Sequence, residues 1–216
     1  MSAERVDLQR IEVGEPRADE IEPAIDVASR ALADGPLTVA VIGDDLDLNF
    51  RYLRRFFRLQ YRLAPHQRPL VARLDGRVVA STNDLHDGAC HAGPLMKLRS
   101  LPALLATRPT VAVRAARWFA DWERRDPGGR PHSHFGPFGV EPELQGRGIG
   151  SLVLTEYCRR LDASGEDSYL ETEKPENVAL YSRFGFEVIE EAEVLGVPNW
   201  FMWRDAGALA PGMRSR

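Results

Sequence analysis

The residues of this sequence whose types and spacing can do chemistry lie in its second half. Gln145-Gly146-Arg147-Gly148-Ile149-Gly150-Ser151 is a glycine-rich loop that follows a strand-like run, His134 to Val140. After it, Ile149, Leu152, Val153, Tyr157 and Leu161 recur at the three- and four-residue spacing of one helix face. A helix that starts there turns unbonded N–H groups and the positive end of its dipole back onto the loop, which favours an anion on both counts. Gly146, Gly148 and Gly150 permit close backbone approach or a left-handed turn, and Arg147 sets a cation beside a bound phosphate. A tight crossover with no ligand fits the same glycines. Two phosphate motifs are excluded. No Gly-Lys-Ser or Gly-Lys-Thr closes the loop as in nucleotide triphosphatases, and the loop lies far from the chain start, where a dinucleotide fingerprint would open its repeated unit. Upstream, His132 and His134 alternate onto one face of the strand and carry protons near neutral pH.

Several motifs in register extend this reading. Gln145 to Gly150 resembles the pyrophosphate loop of the GNAT superfamily of acyl-CoA-dependent N-acyltransferases, and Gly139-Val140-Glu141-Pro142 resembles the end of that family's fourth strand. Tyr169-Leu170-Glu171-Thr172, Asn177-Val178-Ala179-Leu180-Tyr181 and Phe184-Gly185-Phe186-Glu187-Val188 resemble its fifth strand, next helix and sixth strand, in the right order. Residues 132–204 carry the resemblance closely and the earlier chain loosely, and the string from Tyr169 to Tyr181 is most similar to a branch of small-molecule acetyltransferases that includes puromycin N-acetyltransferase.

The resemblance implies an α/β GNAT acyltransferase fold: a central mixed, twisted sheet of six or seven strands flanked by helices. It implies acetyl-CoA as acyl donor, no metal, and a small-molecule amine as acceptor, attacked directly through a tetrahedral intermediate. Backbone at Phe138, Gly139 and Val140 would take the pantetheine arm. Gln145, Gly146, Arg147, Gly148, Ile149, Gly150 and Ser151 would cradle the pyrophosphate, with Asn177 and Tyr181 as further cofactor contacts. Tyr181 stands where the family often places a tyrosine near the thioester sulfur; its hydroxyl, with a reference pKa of about 10, can donate as general acid. Its alternative is a ring in the core, and that of Asn177 is a helix cap. For the base, Glu171 ranks just ahead of His134, with loop anchoring as the other role for Glu171. Pro137 departs from the pattern, since it cannot donate within a strand ladder unless a bulge accommodates it.

The elements that must position these residues are read from the rest of the chain. Residues 1–204 are expected to form one domain, with a helical insertion at 94–131 before the fourth strand, a cofactor-binding core at 132–204 and a flexible tail at 205–216. A first strand fits Leu8 to Val13. Ile21, Ile25, Ala28 and Leu32 predict a helix stopped at Gly35-Pro36, and Leu46, Phe50, Leu53, Phe57 and Tyr61 a second one, with Arg51, Arg54, Arg55, Arg58 and Arg62 on its remaining faces. Leu37 to Ile42 fits either a strand or a buried connection. The resemblance puts these two helices along the acceptor cleft, which makes Phe56, Phe57 and Tyr61 candidate substrate contacts. Leu70–Leu74 and Arg77–Ser81 around Asp75-Gly76 predict a hairpin with a type I′ turn. In the insertion, Leu95, Leu98, Leu101 and Leu105 predict short helical pieces broken at Pro102. Ala112, Ala115, Ala116, Phe119 and Trp122 predict a longer helix ended by Asp126-Pro127-Gly128-Gly129. This layer would close over the acceptor side or support a homodimer contact.

Composition narrows the classes. With 28 basic against 32 acidic residues, a net charge of −4 and a pI near 5.8, there is no electrostatic reason to expect nucleic acid as partner. Two cysteines, Cys90 and Cys158, do not make a disulfide scaffold, and Cys90 beside His91 has no further metal ligands clustered with it in sequence. Met1 to Asp7 lacks a basic region followed by an apolar core, and no run of about 18 apolar residues occurs, so no membrane partner and a cytoplasmic location are expected. Two rival readings are acetylation of a protein N-terminus or lysine, which would want an open groove, and a non-catalytic acyl-CoA-binding regulatory module, which would not need Tyr181.

Overall fold

A computed structural model describes residues 6–63, 67–85 and 108–208. Seven strands form one sheet: β1 (Ile11–Gly14), β2 (Leu70–Leu74), β3 (Arg77–Leu85), β4 (Ser133–Val140), β5 (Ser168–Thr172), β6 (Glu187–Val194) and β7 (Val197–Arg204), in the order β1-β2-β3-β4-β5-β7-β6. Every neighbouring pair is antiparallel except β4 and β5, which run parallel. The helices among the described residues are α1 (Ile21–Leu32), α2 (Pro36–Ile42), α3 (Leu46–Leu63), α4 (Pro109–Glu123), α5 (Ile149–Ser164) and α6 (Pro175–Ser182). This is the mixed, helix-flanked sheet expected from the resemblance, with α4 as the helical insertion before the fourth strand.

Alternation along the strands divides the core. Leu70, Phe135, Leu170 and Met202 face Leu154, Tyr157 and Leu161 of α5 and Tyr181 of α6. On the opposite face Ala24 and Val27 of α1 meet Val71 and Val78, while Leu37 of α2 and Trp118 and Trp122 of α4 cover Tyr169, Phe201 and Trp203. The β2–β3 hairpin turns through Asp75 (φ 52°) and Gly76 (φ 77°), the two positive torsions that a type I′ turn requires.

Leu37 to Ile42 proves helical. Pro36 presets the first turn, and Leu37 and Val41, four apart, share a buried face, so packing decides what periodicity left open. The arginine faces of α3 are ion-paired in part: Arg54 bonds Glu22 and Asp26, and Arg58 bonds Glu22, all on α1. The chain stays tied down just beyond β7, where Ala206 N–H donates to Asp167 at 2.8 Å and Gly207 N–H to Asp162 at 3.0 Å. The helical pieces expected between Leu95 and Leu105, the loop histidines His86 and His91, Cys90 and the tail from residue 209 lie outside the described residues.

Candidate active site

The parallel pair β4–β5 is joined at only two positions, Ser133 opposite Ser168 and His134 opposite Tyr169. Beyond them β5 continues along β7 to Thr172, whereas β4 stays with β3 to Val140. The strands therefore part, and residues 135–140 of β4 have one edge outside any ladder with β5. The closed end of this V is pinned by a buried polar network. Asp84 accepts from Arg68 at 2.7 Å, from Ser133 at 3.0 Å and from the Tyr157 hydroxyl at 3.2 Å, and Tyr157 also bonds Ser168 at 2.8 Å. Burial pushes the Asp84 carboxyl upward against the pull of Arg68.

Pro137 sits in the irregularity that the ladder requires of it. Phe138 is opposite Thr82 and Phe135 opposite Asp84, so Gly136 and Pro137 together face Asn83 alone, and the missing N–H falls inside a bulge. At the far end of β4, buried Glu141 accepts two bonds from Arg30 of α1, at 3.0 and 2.6 Å, which fixes where the strand gives way to the loop.

The loop delivers an open helix start. Gly148, the residue before α5, has φ 88° and no side chain caps the helix; no acidic residue occupies its first turn. Gly146, at φ 71°, has open space where a Cβ would stand. Arg147 is half-buried beside this start, Ser151 is the third residue of the helix, and Gln145 reaches back to the Val140 carbonyl at 3.1 Å. Ile149 is buried in the core. Gly139 and Gly150 serve packing as well: a Cβ on Gly139 would stand 2.6 Å from Ala31 Cβ, and one on Gly150 3.3 Å from the Phe138 ring. The residues fit a pyrophosphate because N–H groups and the helix dipole converge beside Arg147, with no acidic residue in the first turn of the helix.

The proposed acid–base residues fall on two sides of the V. Tyr181 is buried against Phe135 and Phe186, and no described hydrogen bond uses its hydroxyl. Burial, reinforced by the Glu173 carboxylate, pushes that hydroxyl well above its ordinary value, so it stays protonated. On the other face His134 Nε2 stands 2.8 Å from Glu171 Oε2, so two residues weighed as alternatives form one hydrogen-bonded pair. The Glu171 side chain is 3% exposed and His134 19%. Glu171 Oε1 and the adjacent Tyr169 hydroxyl are both buried without a well-formed hydrogen bond, and the phenol stands close enough to the Glu171 carboxylate to interact with it. Burial and the Glu171 and Asp126 carboxylates hold Tyr169 protonated. Asn177 donates to Thr172 Oγ1 at 3.2 Å, which ties α6 to the end of β5.

Around the cleft, Phe57 is core and Phe56 stacks on Phe119 at 5.4 Å, joining α3 to α4, while burial pushes the Tyr61 hydroxyl up to about 12. Sequence reasoning missed Asp126, read only as a helix stop, which lies within 3.9 Å of both His132 and His134. Nothing in its local pattern marked it, because it meets His132 and His134 only where the start of β4 folds back against the turn after α4.

Residues 41–186 match the family model described as Acetyltransferase (GNAT) family. Among solved structures, the fold is shared with a histone acetyltransferase HPA2 and related acetyltransferase from Corynebacterium glutamicum, at 22% identity over 94% of this chain and 99% of that one, TM-score 0.68. An agmatine N-acetyltransferase is 15% identical over 90% and 98% of the two chains, TM-score 0.59. A PaiA N-acetyltransferase from Thermoplasma acidophilum, solved in complex with coenzyme A, is 15% identical over 90% and 98%, TM-score 0.53. No described helix is long and apolar enough to cross a membrane.

Proposed function

The chain belongs to the acetyltransferase (GNAT) family, and from that premise we propose that it transfers the acetyl group of acetyl-CoA to a primary amine of a small molecule. The observation that carries the proposal is the parting of β4 from β5 after two residue pairs, beside a helix start with no side-chain cap. The free edge at Phe138, Gly139 and Val140 would hold the pantetheine arm, and Gln145 to Ser151 the pyrophosphate, with Asn177 and Tyr181 completing the cofactor contacts. Acetyl-CoA supplies the activated acetyl group.

The chain's own residues would manage protons on either side of it. Glu171 takes the proton shed by the acceptor amine: Oε2 is held by His134, and Oε1 is left over for the amine or a bridging water. Tyr181 keeps a proton for the departing sulfur, a role favoured by the burial that holds its hydroxyl protonated. A small acceptor is supported by the similarity of Tyr169 to Tyr181 to the branch that includes puromycin N-acetyltransferase, and by α4, which adds Trp118 and Trp122 over the face carrying Glu171's neighbour Tyr169.

Calorimetry of the purified protein should show acetyl-CoA binding, and a panel of primary amines beginning with agmatine should release free CoA. Tyr181→Phe should lower kcat by about 100-fold or more while leaving acetyl-CoA affinity near wild type. Folded protein that binds neither acetyl-CoA nor CoA would refute the proposal. Unchanged kcat in Tyr181→Phe would remove the tyrosine from its role.

A further inference from the structure

His132 Nδ1 lies 2.7 Å from the Arg130 carbonyl oxygen. A carbonyl can only accept, so Nδ1 carries a hydrogen, and Nε2 is the atom turned toward the Asp126 carboxylate, 3.4 Å away. A bare nitrogen lone pair facing a carboxylate oxygen is repulsive, so a proton lies between them. The same Asp126 oxygen stands 3.9 Å from Nδ1 of His134, whose Nε2 meets Glu171. Asp126 is 5% exposed and His132 4%, so the two act as a buried pair with little solvent screening, its carboxylate end 3.9 Å from His134.

We propose that Asp126, supplied by the turn after the insertion helix α4, is a positioning residue for acetyl transfer: its carboxylate, 3.9 Å from His134 Nδ1, favours a proton on the imidazole that holds Glu171. This rests on the assignment of Glu171 as base. The described groups that face the pair are the Tyr169 ring from β5, Glu173 just beyond β5, whose carboxylate acts on Glu171, His132 from the approach to β4, and Asp126. Glu190 of β6, the next carboxylate toward Tyr169, is paired with Arg125 at 2.8 Å. Tyr169 stays neutral and Glu173 acts from the Glu171 side, so the carboxylate near His134 that can be deleted without changing the pair is Asp126. A nearby anion favours the imidazolium, so its removal lowers the His134 midpoint. Among the described residues no group of three or more His, Cys, Asp and Glu is placed to hold a metal, so the cluster is read as a proton-carrying one.

The test is imidazole-detected NMR titration of the full chain, which has five histidines, with the His134 signal assigned by its loss in His134→Asn. In Asp126→Asn the His134 midpoint should move down by about one pH unit, and the acid limb of kcat/KM with acetyl-CoA and agmatine should move the same way. Asp126→Glu should recover most of both shifts. A His134 midpoint that stays in place in folded Asp126→Asn overturns the proposal, as does a uniform fall in kcat/KM with the acid limb unmoved. If Asp126→Asn does not fold, Asp126→Ser, which deletes the same charge with a smaller side chain, must lower the His134 midpoint, and an unmoved midpoint again overturns the proposal. Absence of any acetyl transfer in wild type would refute the acyltransfer reading alone, because the NMR midpoint separately decides whether Asp126 governs His134.

Discussion

Gly139→Ala isolates what one missing methyl does for this fold. A Cβ at residue 139 would stand 2.6 Å from Ala31 Cβ and 3.1 Å from Ala28 Cα, both on α1. The first distance is shorter than carbon contacts tolerate and its partner is fixed to a helix backbone, so α1 must move away from β4. Overpacking of this kind costs about 1–3 kcal/mol. The displacement also pulls on Arg30, which reaches from α1 to Glu141 at the mouth of the glycine loop, so acetyl-CoA affinity should fall with stability. Ala31→Gly removes the shorter contact and by itself costs about 1 kcal/mol as a helix-interior glycine. In the double variant the 3.1 Å contact remains. Its loss of stability should therefore fall short of the sum of the singles by at least about 0.5 kcal/mol without vanishing. Urea midpoints at constant m, with and without acetyl-CoA, measure both effects. A Gly139→Ala protein within about 0.5 kcal/mol of wild type, or strictly additive variants, would refute the close packing of α1 on β4 as the reason for this glycine.

Two further outcomes are expected. Hydrogen bonds from Arg73, at 2.7 and 2.6 Å, hold the buried Glu20 carboxyl down to about 2, from an unfolded value near 4.5. A depressed carboxylate stabilises the fold above the unfolded value and loses that contribution as pH falls toward the folded one. Wild type should therefore lose stability between about pH 4.5 and 2, whereas Glu20→Gln should be weaker at neutral pH and flatter across that window; parallel pH–stability curves from urea titrations would contradict this. Burial pushes the Cys158 thiol up to about 11, so peptide mapping should find it unalkylated by iodoacetamide in native protein and fully modified once unfolded. Native labelling at rates typical of a free thiol would show that α5 opens.

What was legible in the sequence is what short-range physics determines. The Asp75-Gly76 hairpin, the amphipathic faces of α1, α3 and α5, and the glycine loop before α5 each declare themselves within a few residues, because turn torsions and helical spacing are local properties. The α2 segment does not, since a six-residue run of Leu, Thr, Val, Ala and Ile satisfies either period until Tyr169 and Phe201 offer Leu37 a surface. The site divides along the same line. The half proposed to hold the pyrophosphate is a contiguous stretch that would act through its backbone, so its spacing can be read along the chain. The half proposed to handle protons draws on residues 126, 132, 134, 171 and 181, from the turn after α4, β4 and its approach, β5 and α6. Glu171 and His134 therefore stood as alternatives when read along the chain, and became a pair only where β4 and β5 run side by side for two residues before parting. The same two-residue contact that opens the V for a cofactor brings the imidazole to the carboxylate. Lengthening that ladder would close the gap along β4, and removing it would separate His134 from Glu171, so the place where the strands part sets both halves of the site at once.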